Sequence, residues 1–252
     1  MRHLFIKLLE HRACVIHQHG MLRVPNIIAL ENIRITSDID WSLRHYRKLA
    51  EQGDVAANHV RTADYRRWSF VYDLIPSGVT LMDIGIGAGQ FVNAAGRSQR
   101  FESVMGVDYR YGTGLKQVSA HWTLVIQSLA ASRIPASLTA QVVTCMECIE
   151  HIADPLFDVA VANLKRMATE RLIVTVPFEE KLPLPRYHKQ RFDMGRLKRL
   201  FPGGEVTLIT WRETPLWAVV DWRPDEVQSR GARSAQRRRG ISGSPQAMPA
   251  IG

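Results

Sequence analysis

Between residues 79 and 176 the chain alternates short apolar runs with stretches whose apolar residues recur at helical spacing. The runs at 79–84, 103–107, 123–127, 141–145 and 171–176 predict strands, and the stretches at 91–98, 115–121 and 155–169 predict helices between them. Strands that alternate with helices predict a parallel sheet covered on both faces. A short helix at 194–200 ends in Phe201-Pro202-Gly203-Gly204. Two further runs, 205–210 and 216–222, flank Arg212-Glu213-Thr214-Pro215 and predict an antiparallel hairpin that closes the sheet. The predicted fold class is therefore α/β, with a mostly parallel seven-stranded sheet, helices on both faces and a C-terminal antiparallel hairpin.

Upstream, residues 38–75 read as two helices. Asp38 or Asp40 is placed to cap the first, which carries Trp41, Tyr46 and Leu49. In the second, Tyr65, Trp68, Tyr72 and Ile75 fall on one face, and Pro76-Ser77-Gly78 stops it. That aromatic stripe reads as core packing. Residues 1–36 read as an N-terminal extension of mixed character. Its histidines, His11, His17 and His19, read as a solvated segment, and Met21 offers an alternative start. Residues 224–252 are rich in Arg, Ser, Gly, Pro and Gln without apolar periodicity, and the expectation is a disordered tail. The globular domain is then 37–223.

Composition narrows the function classes. Apolar residues make up 46% of the chain and charged residues 23%, enough to bury one α/β core. No stretch reaches the roughly 18 apolar residues of a membrane span. Lys7, Glu10, His11 and Arg12 interrupt any signal-peptide core, so a cytoplasmic location is expected. The net charge is +9, but the tail from Pro224 holds five arginines against Asp225 and Glu226, which is +3 of that total. The global charge is thus weak grounds for a nucleic-acid groove. Cys145 and Cys148 form a C-x-x-C with no second pair to complete a zinc site, and they read as two small residues at a strand end.

The sharpest chemical signal is Leu81-Met82-Asp83-Ile84-Gly85-Ile86-Gly87-Ala88-Gly89-Gln90-Phe91, an apolar strand that runs through Asp-x-Gly-x-Gly-x-Gly into a helix. Glycines let the backbone turn sharply and lie close to a ligand. A nicotinamide-cofactor domain has such a turn too. Two acids change the reading. Asp83 precedes the first glycine, where a carboxylate suits a positively charged amino acid end and not a pyrophosphate. Asp108 ends the next strand, 23 residues after Gly85, near the spacing of an acid that accepts from ribose hydroxyls.

At these residues the chain resembles the class I S-adenosylmethionine-dependent methyltransferases. Val142-Val143-Thr144-Cys145-Met146-Glu147-Cys148-Ile149-Glu150-His151-Ile152-Ala153-Asp154-Pro155 is similar to the fourth-strand segment of the subfamily that includes the ubiquinone-biosynthesis methyltransferases. Ile173-Val174-Thr175-Val176-Pro177 resembles their fifth strand, and Tyr187-His188-Lys189-Gln190-Arg191-Phe192-Asp193 their His-x-x-x-Phe stretch. The matches run in family order from about Asp40 to Trp222. The resemblance implies a Rossmann-like domain with S-adenosylmethionine as cofactor. It implies that Gly85, Gly87 and Gly89 shape the loop around the methionine part, that Asp83 helps hold its ammonium, and that Asp108 binds the ribose. Met146 and Glu147 would lie beside the cofactor. Ser128 stands where family members often carry an acid near the adenine, and Ala140-Gln141 where they often carry an Asp before strand four.

The implied function is methyl transfer to oxygen or nitrogen of a small-molecule, lipid-linked or sugar acceptor. A hydroxyl acceptor profits from a base, and His151 and His188 are the catalytic candidates because histidine titrates near neutrality; a backbone-bonded structural role for His151 is the competing reading. Glu147, Glu150 and His151 form Glu-x-x-Glu-His, with His188 37 residues later. This is similar to the small-RNA 3′-terminal 2′-O-methyltransferases, which use such a set to hold a divalent metal. The primary expectation is a site without metal, with metal-assisted RNA methylation, or a non-catalytic module of the same fold, as the alternatives. No Asn-Pro-Pro-Tyr-like motif for base methylation occurs; Val176-Pro177-Phe178-Glu179 stands there.

Overall fold

The structure is a computed structural model that describes residues 25–53, 61–109, 115, 117 and 121–224. The tail expectation and most of the helix expected at 115–121 fall outside these residues. Eight strands form a single sheet: β1 (Asn26–Ala29), β2 (Thr80–Ile84), β3 (Ser103–Asp108), β4 (Thr123–Ile126), β5 (Ala140–Met146), β6 (Ala168–Pro177), β7 (Glu205–Trp211) and β8 (Thr214–Trp222). Their order is β1-β7-β8-β6-β5-β2-β3-β4. Only β8 runs against the rest, pairing antiparallel with both β6 and β7. The seven strands read from the sequence are all present. The eighth, β1, comes from the segment read as an extension and pairs parallel with β7, Asn26 opposite Thr207.

Among the described residues five α-helices cover the sheet: α1 (Ser37–Glu51), α2 (Thr62–Leu74), α3 (Gln90–Ser98), α4 (Asp154–Met167) and α5 (Met194–Leu200). Alternation along the strands decides which layer each side chain joins. Leu81, Val142, Ile173 and Val219 pack with Ile39, Leu43, Tyr65, Tyr72 and Phe91 of α1–α3. Their neighbours Met82, Val143, Val174 and Val220 pack with Phe157, Leu164 and Leu197 of α4 and α5. The result is three layers with the sheet buried in the middle.

Local chemistry sets the helix ends. The Asp193 carboxylate accepts from the Arg196 N–H at 2.7 Å and caps α5. In α4, Asp154 and Pro155 occupy the first turn and Lys165 and Arg166 the last, which complements the helix dipole. Neither Asp38 nor Asp40 caps α1. Thr36 holds the cap position, both acids sit in the first turn, and Asp38 accepts instead from the Tyr72 hydroxyl at 2.9 Å.

The connection from β2 to α3 is fixed by α1. Ser42 Oγ donates to the Gln90 carbonyl at 2.9 Å and Tyr46 Oη to the Ala88 carbonyl at 2.8 Å. Asn93 donates to Tyr46 Oη and accepts from Trp122 Nε1. A chain of hydrogen bonds thus runs from the foot of β4 to the glycine turn.

Candidate active site

In an open α/β sheet, ligands bind beyond the carboxyl ends of the parallel strands. Here that end carries Asp83, the glycine turn, Asp108, Ser128, Met146 and Glu147. Gly85, Gly87 and Gly89 have φ of +77°, +56° and +83°. Two of these glycines are needed for different reasons. A Cβ on Gly85 would come within 2.7 Å of Cys148 Sγ, so that turn is packed from behind. A Cβ on Gly87 would meet nothing within 4 Å, so the backbone there faces open space.

That space is a cavity of about 520 Å³ lined by Gly85, Gly87, Asp108, Ser128, Leu129 and Leu156 among others. Asp108 Oδ2 accepts from the Gly87 N–H at 3.4 Å and Oδ1 from the Tyr109 N–H at 2.7 Å. Ser128 sits on its rim and turns its hydroxyl to the Ala130 N–H at 3.3 Å. A second cavity of about 740 Å³ adjoins it, lined by α2, the ends of β5 and β6, residues 177–181 with His188, and residues 214–217. Gly85, Gly87, Glu147 and His151 line both cavities. Asp83 and Met146 line only the larger one.

Asp83 is buried and accepts from Thr144 Oγ1 at 2.6 Å. Burial pushes its carboxyl up to about 7; the Thr144 hydrogen bond pulls it back and the charge of Asp108 adds to the rise. A cation brought against it would restore the charged form.

Glu147 has φ +51° and is held from two sides. Arg67 Nη1 lies 2.8 Å from Oε1, and Trp217 Nε1 donates to Oε2 at 2.9 Å. Arg67 itself is buried, and its guanidinium lies 4.7 Å from the centre of the Trp217 ring. Sequence reading missed both partners. They stand 80 residues before and 70 after Glu147, and no local motif links them.

Glu150, His151 and His188 converge, each offering a ligand atom within 4.8 Å of the others. Glu150 is fully buried, and neither carboxylate oxygen has a hydrogen-bond partner. Burial first, and the neighbouring Glu147 second, push its carboxyl up to about 9. His151 Nδ1 is 3.0 Å from the Tyr187 carbonyl, which can only accept, so Nδ1 carries the proton and Nε2 is free. His188 Nδ1 meets the Glu180 carboxylate at 2.8 Å, which leaves its Nε2 free as well. The two rings pack edge to face, 5.0 Å apart. Imidazoles with one nitrogen tied to a carbonyl or carboxylate and the other open are suited to act as bases or metal ligands.

Neither a family model nor a curated protein matches the chain by sequence. Solved structures do match by shape. A structure of the small RNA methyltransferase HEN1 shares 19% identity over 64% of this chain and 25% of its own, with a TM-score of 0.53. The Burkholderia thailandensis 1,6-didemethyltoxoflavin-N1-methyltransferase, solved with that compound and S-adenosylhomocysteine, shares 13% identity over 82% of this chain and 97% of its own (TM-score 0.52). DhpI, also in complex with S-adenosylhomocysteine, shares 15% identity over 74% and 96% (TM-score 0.51). The fold is the Rossmann-like methyltransferase fold. The chain thus spans nearly the whole of two of these methyltransferase-fold proteins and about a quarter of HEN1.

Proposed function

We propose that this chain is an S-adenosylmethionine-dependent methyltransferase that methylates a hydroxyl of a small-molecule, lipid-linked or sugar acceptor. One observation carries the reading: two cavities meet at Gly85, Gly87, Glu147 and His151. The smaller one suits the adenosyl part of the cofactor, with Asp108 and Ser128 toward the ribose and adenine. The larger one suits the acceptor. The methyltransferase-fold structures with S-adenosylhomocysteine support the same cofactor here. The sulfonium supplies an already activated methyl group when bound. The protein's task is alignment, which can account for much of the rate. Arg67 and Trp217 hold Glu147 beside the methyl path, Asp83 receives the ammonium, and a free imidazole Nε2 takes the hydroxyl proton.

The Glu150, His151 and His188 cluster also supports a divalent cation, which the sequence offered as the alternative reading. A buried carboxylate without hydrogen bonds is costly unless it is protonated or meets a cation. One oxygen donor and two imidazoles suit Mn²⁺ or a similar ion. Such an ion would lower the pKa of the acceptor hydroxyl. RNA 2′-O-methylation is the second reading, favoured by this cluster. The larger cavity weighs against it, because Asp64, Glu147, Glu179 and Glu180 outnumber Arg61, Arg67 and Lys181 there even with Asp83 and Glu150 left out. A phosphate backbone is drawn to the reverse balance.

The test is calorimetry with S-adenosylmethionine, S-adenosylhomocysteine and NAD, followed by transfer of labelled methyl groups into metabolite, lipid and RNA pools. Binding of the first two without NAD is expected, with label in the metabolite or lipid pool. Label confined to RNA would replace the acceptor assignment. On the leading reading transfer survives EDTA; loss of transfer in EDTA, restored by Mn²⁺, would replace the imidazole base by a metal-assisted site.

A further inference from the structure

Two segments border the mouth of the larger cavity. One is the connection from β6 to α5, which contributes Glu179, Glu180, Lys181 and His188 to the lining. The other is the β7–β8 turn, which contributes Thr214 and Pro215. Both expose large apolar side chains beside the opening: Leu182 is 75% exposed, Tyr187 71% and Trp211 46%. Apolar groups exposed singly are ordinary, whereas several gathered at one cavity mouth mark a contact surface. They alternate with cations. Lys181, Arg186, Lys189 and Arg191 are exposed along the first segment and Arg212 on the turn, against the exposed acids Glu179 and Glu213 on the same segments, which leaves the rim net cationic. Arg186 lies 5.9 Å from the Tyr187 ring centre and Arg212 5.9 Å from that of Trp211.

We propose that this rim is a membrane-interface surface, which docks on anionic lipid headgroups and sets the larger cavity over a lipid-linked acceptor. The proposal rests on the methyltransferase reading and narrows its acceptor to the lipid-linked class. Leucine, tyrosine and tryptophan with lysine and arginine is the set that settles at the headgroup boundary: apolar bodies reach toward the acyl region while the cations stay with the phosphates. Each cation near an anionic surface adds an attraction that salt screens. Single-stranded RNA would ask for something else, namely open ring faces on which bases stack. Here both rings have an arginine of their own over them, and aliphatic Leu182 stands among prolines Pro183 and Pro185. Among the described residues no helix is long and apolar enough to cross a membrane.

The experiment uses the full chain and sedimentation with vesicles of phosphatidylglycerol and phosphatidylcholine, against phosphatidylcholine alone. Binding to the anionic vesicles is expected, and L182S/Y187S is expected to weaken it about tenfold. Acyl-brominated lipid is expected to quench part of the tryptophan emission, and W211F to remove that part; the sequence from 224 onward contains no tryptophan, so the signal does not come from the basic tail. No binding to anionic vesicles would overturn the proposal. So would binding that L182S/Y187S leaves intact with no quenching at Trp211, or a loss of oligouridylate binding in L182S/Y187S with vesicle binding unchanged. Calorimetry with S-adenosylhomocysteine on the same variants checks that they are folded. If the parent chain fails to bind that ligand, the methyltransferase reading falls, whatever the vesicles show.

Discussion

The two cavities are built in opposite ways. The smaller one is built around backbone: Gly85 and Gly87 of the turn, with strand-end Asp108, the short loop after β4 and the segment from Glu147 to Leu156, all between residues 84 and 156. The larger one is made of side chains drawn from Arg61 to Trp217, held by ion pairs and hydrogen bonds across the chain. A backbone-made site tolerates little change at its turn but needs few special partners. A side-chain-made site depends on a network in which every member has a remote neighbour. The first kind suits a ligand common to many enzymes, the second a ligand particular to one.

If that contrast is right, substitutions in the two halves fail differently. Gly87→Val should leave no S-adenosylhomocysteine binding measurable by calorimetry, because a branched Cβ would occupy the open side of the turn at a left-handed φ. Its melting temperature should fall only by the cost of that left-handed backbone, about 1–3 kcal/mol, since no protein atom is close. Arg67→Met should do the reverse. It strips Glu147 of its ion pair, while Asp64 keeps Arg61, and should lower stability by about 3 kcal/mol in denaturant titration, with cofactor affinity changed less. Cofactor affinity lost together with stability would mean that the halves are not separable.

Asp108→Ala tests the one charged side chain that lines the smaller cavity and not the larger. Loss of a carboxylate shared with ribose hydroxyls should cost about 1.5–3 kcal/mol of cofactor affinity, with the fold intact. An unchanged dissociation constant would place the ribose elsewhere. The smallest effect concerns pH. Asp83 is half protonated at about pH 7 in the free protein. Binding a cationic ammonium favours the carboxylate, so below that pH each binding event must release a proton, and affinity should fall by at most about tenfold per unit as pH drops. The sign for folding follows from the same rise. Burial stabilises the protonated acid, so Asp83 favours the folded state below its ordinary pKa of 3.8 and loses that contribution as pH climbs to about 7. Cofactor affinity that is flat between pH 5 and 7, measured by calorimetry, would remove Asp83 from the ammonium site.

The same contrast explains what could be read from the sequence. The glycine turn, Asp83 and Asp108 lie within 26 residues, and their spacing alone announces a nucleoside-bearing ligand. Seven strands were legible because each is an apolar run long enough to stand out. β1 was not, because four residues, Asn26–Ala29, have no period, and their partner strand lies about 180 residues away. In α2 the aromatic stripe is legible, and Tyr65, Tyr72 and Ile75 are buried as expected. Arg67 is buried too, on a helix whose other faces also pack, and no periodicity marks a buried arginine as one half of an ion pair. His151 and His188 were found by type and motif. That Glu150 stands between them without a hydrogen bond is a fact of three-dimensional packing alone.

The reversed direction of β8 has a consequence for change over time. Because β7 ends and β8 begins at the ligand end of the sheet, Arg212 and Glu213 form a fingertip beside the larger cavity while their strands stay anchored in the core. Both have positive φ, and neither supports the sheet with its side chain. Residues here can be lengthened, shortened or exchanged without touching the glycine turn, which lies on the other side of β6, β5 and β2. For an engineer, this tip is the place to graft diversity when a new acceptor is wanted. For evolution, it lets one half of a catalyst stay fixed while the other drifts.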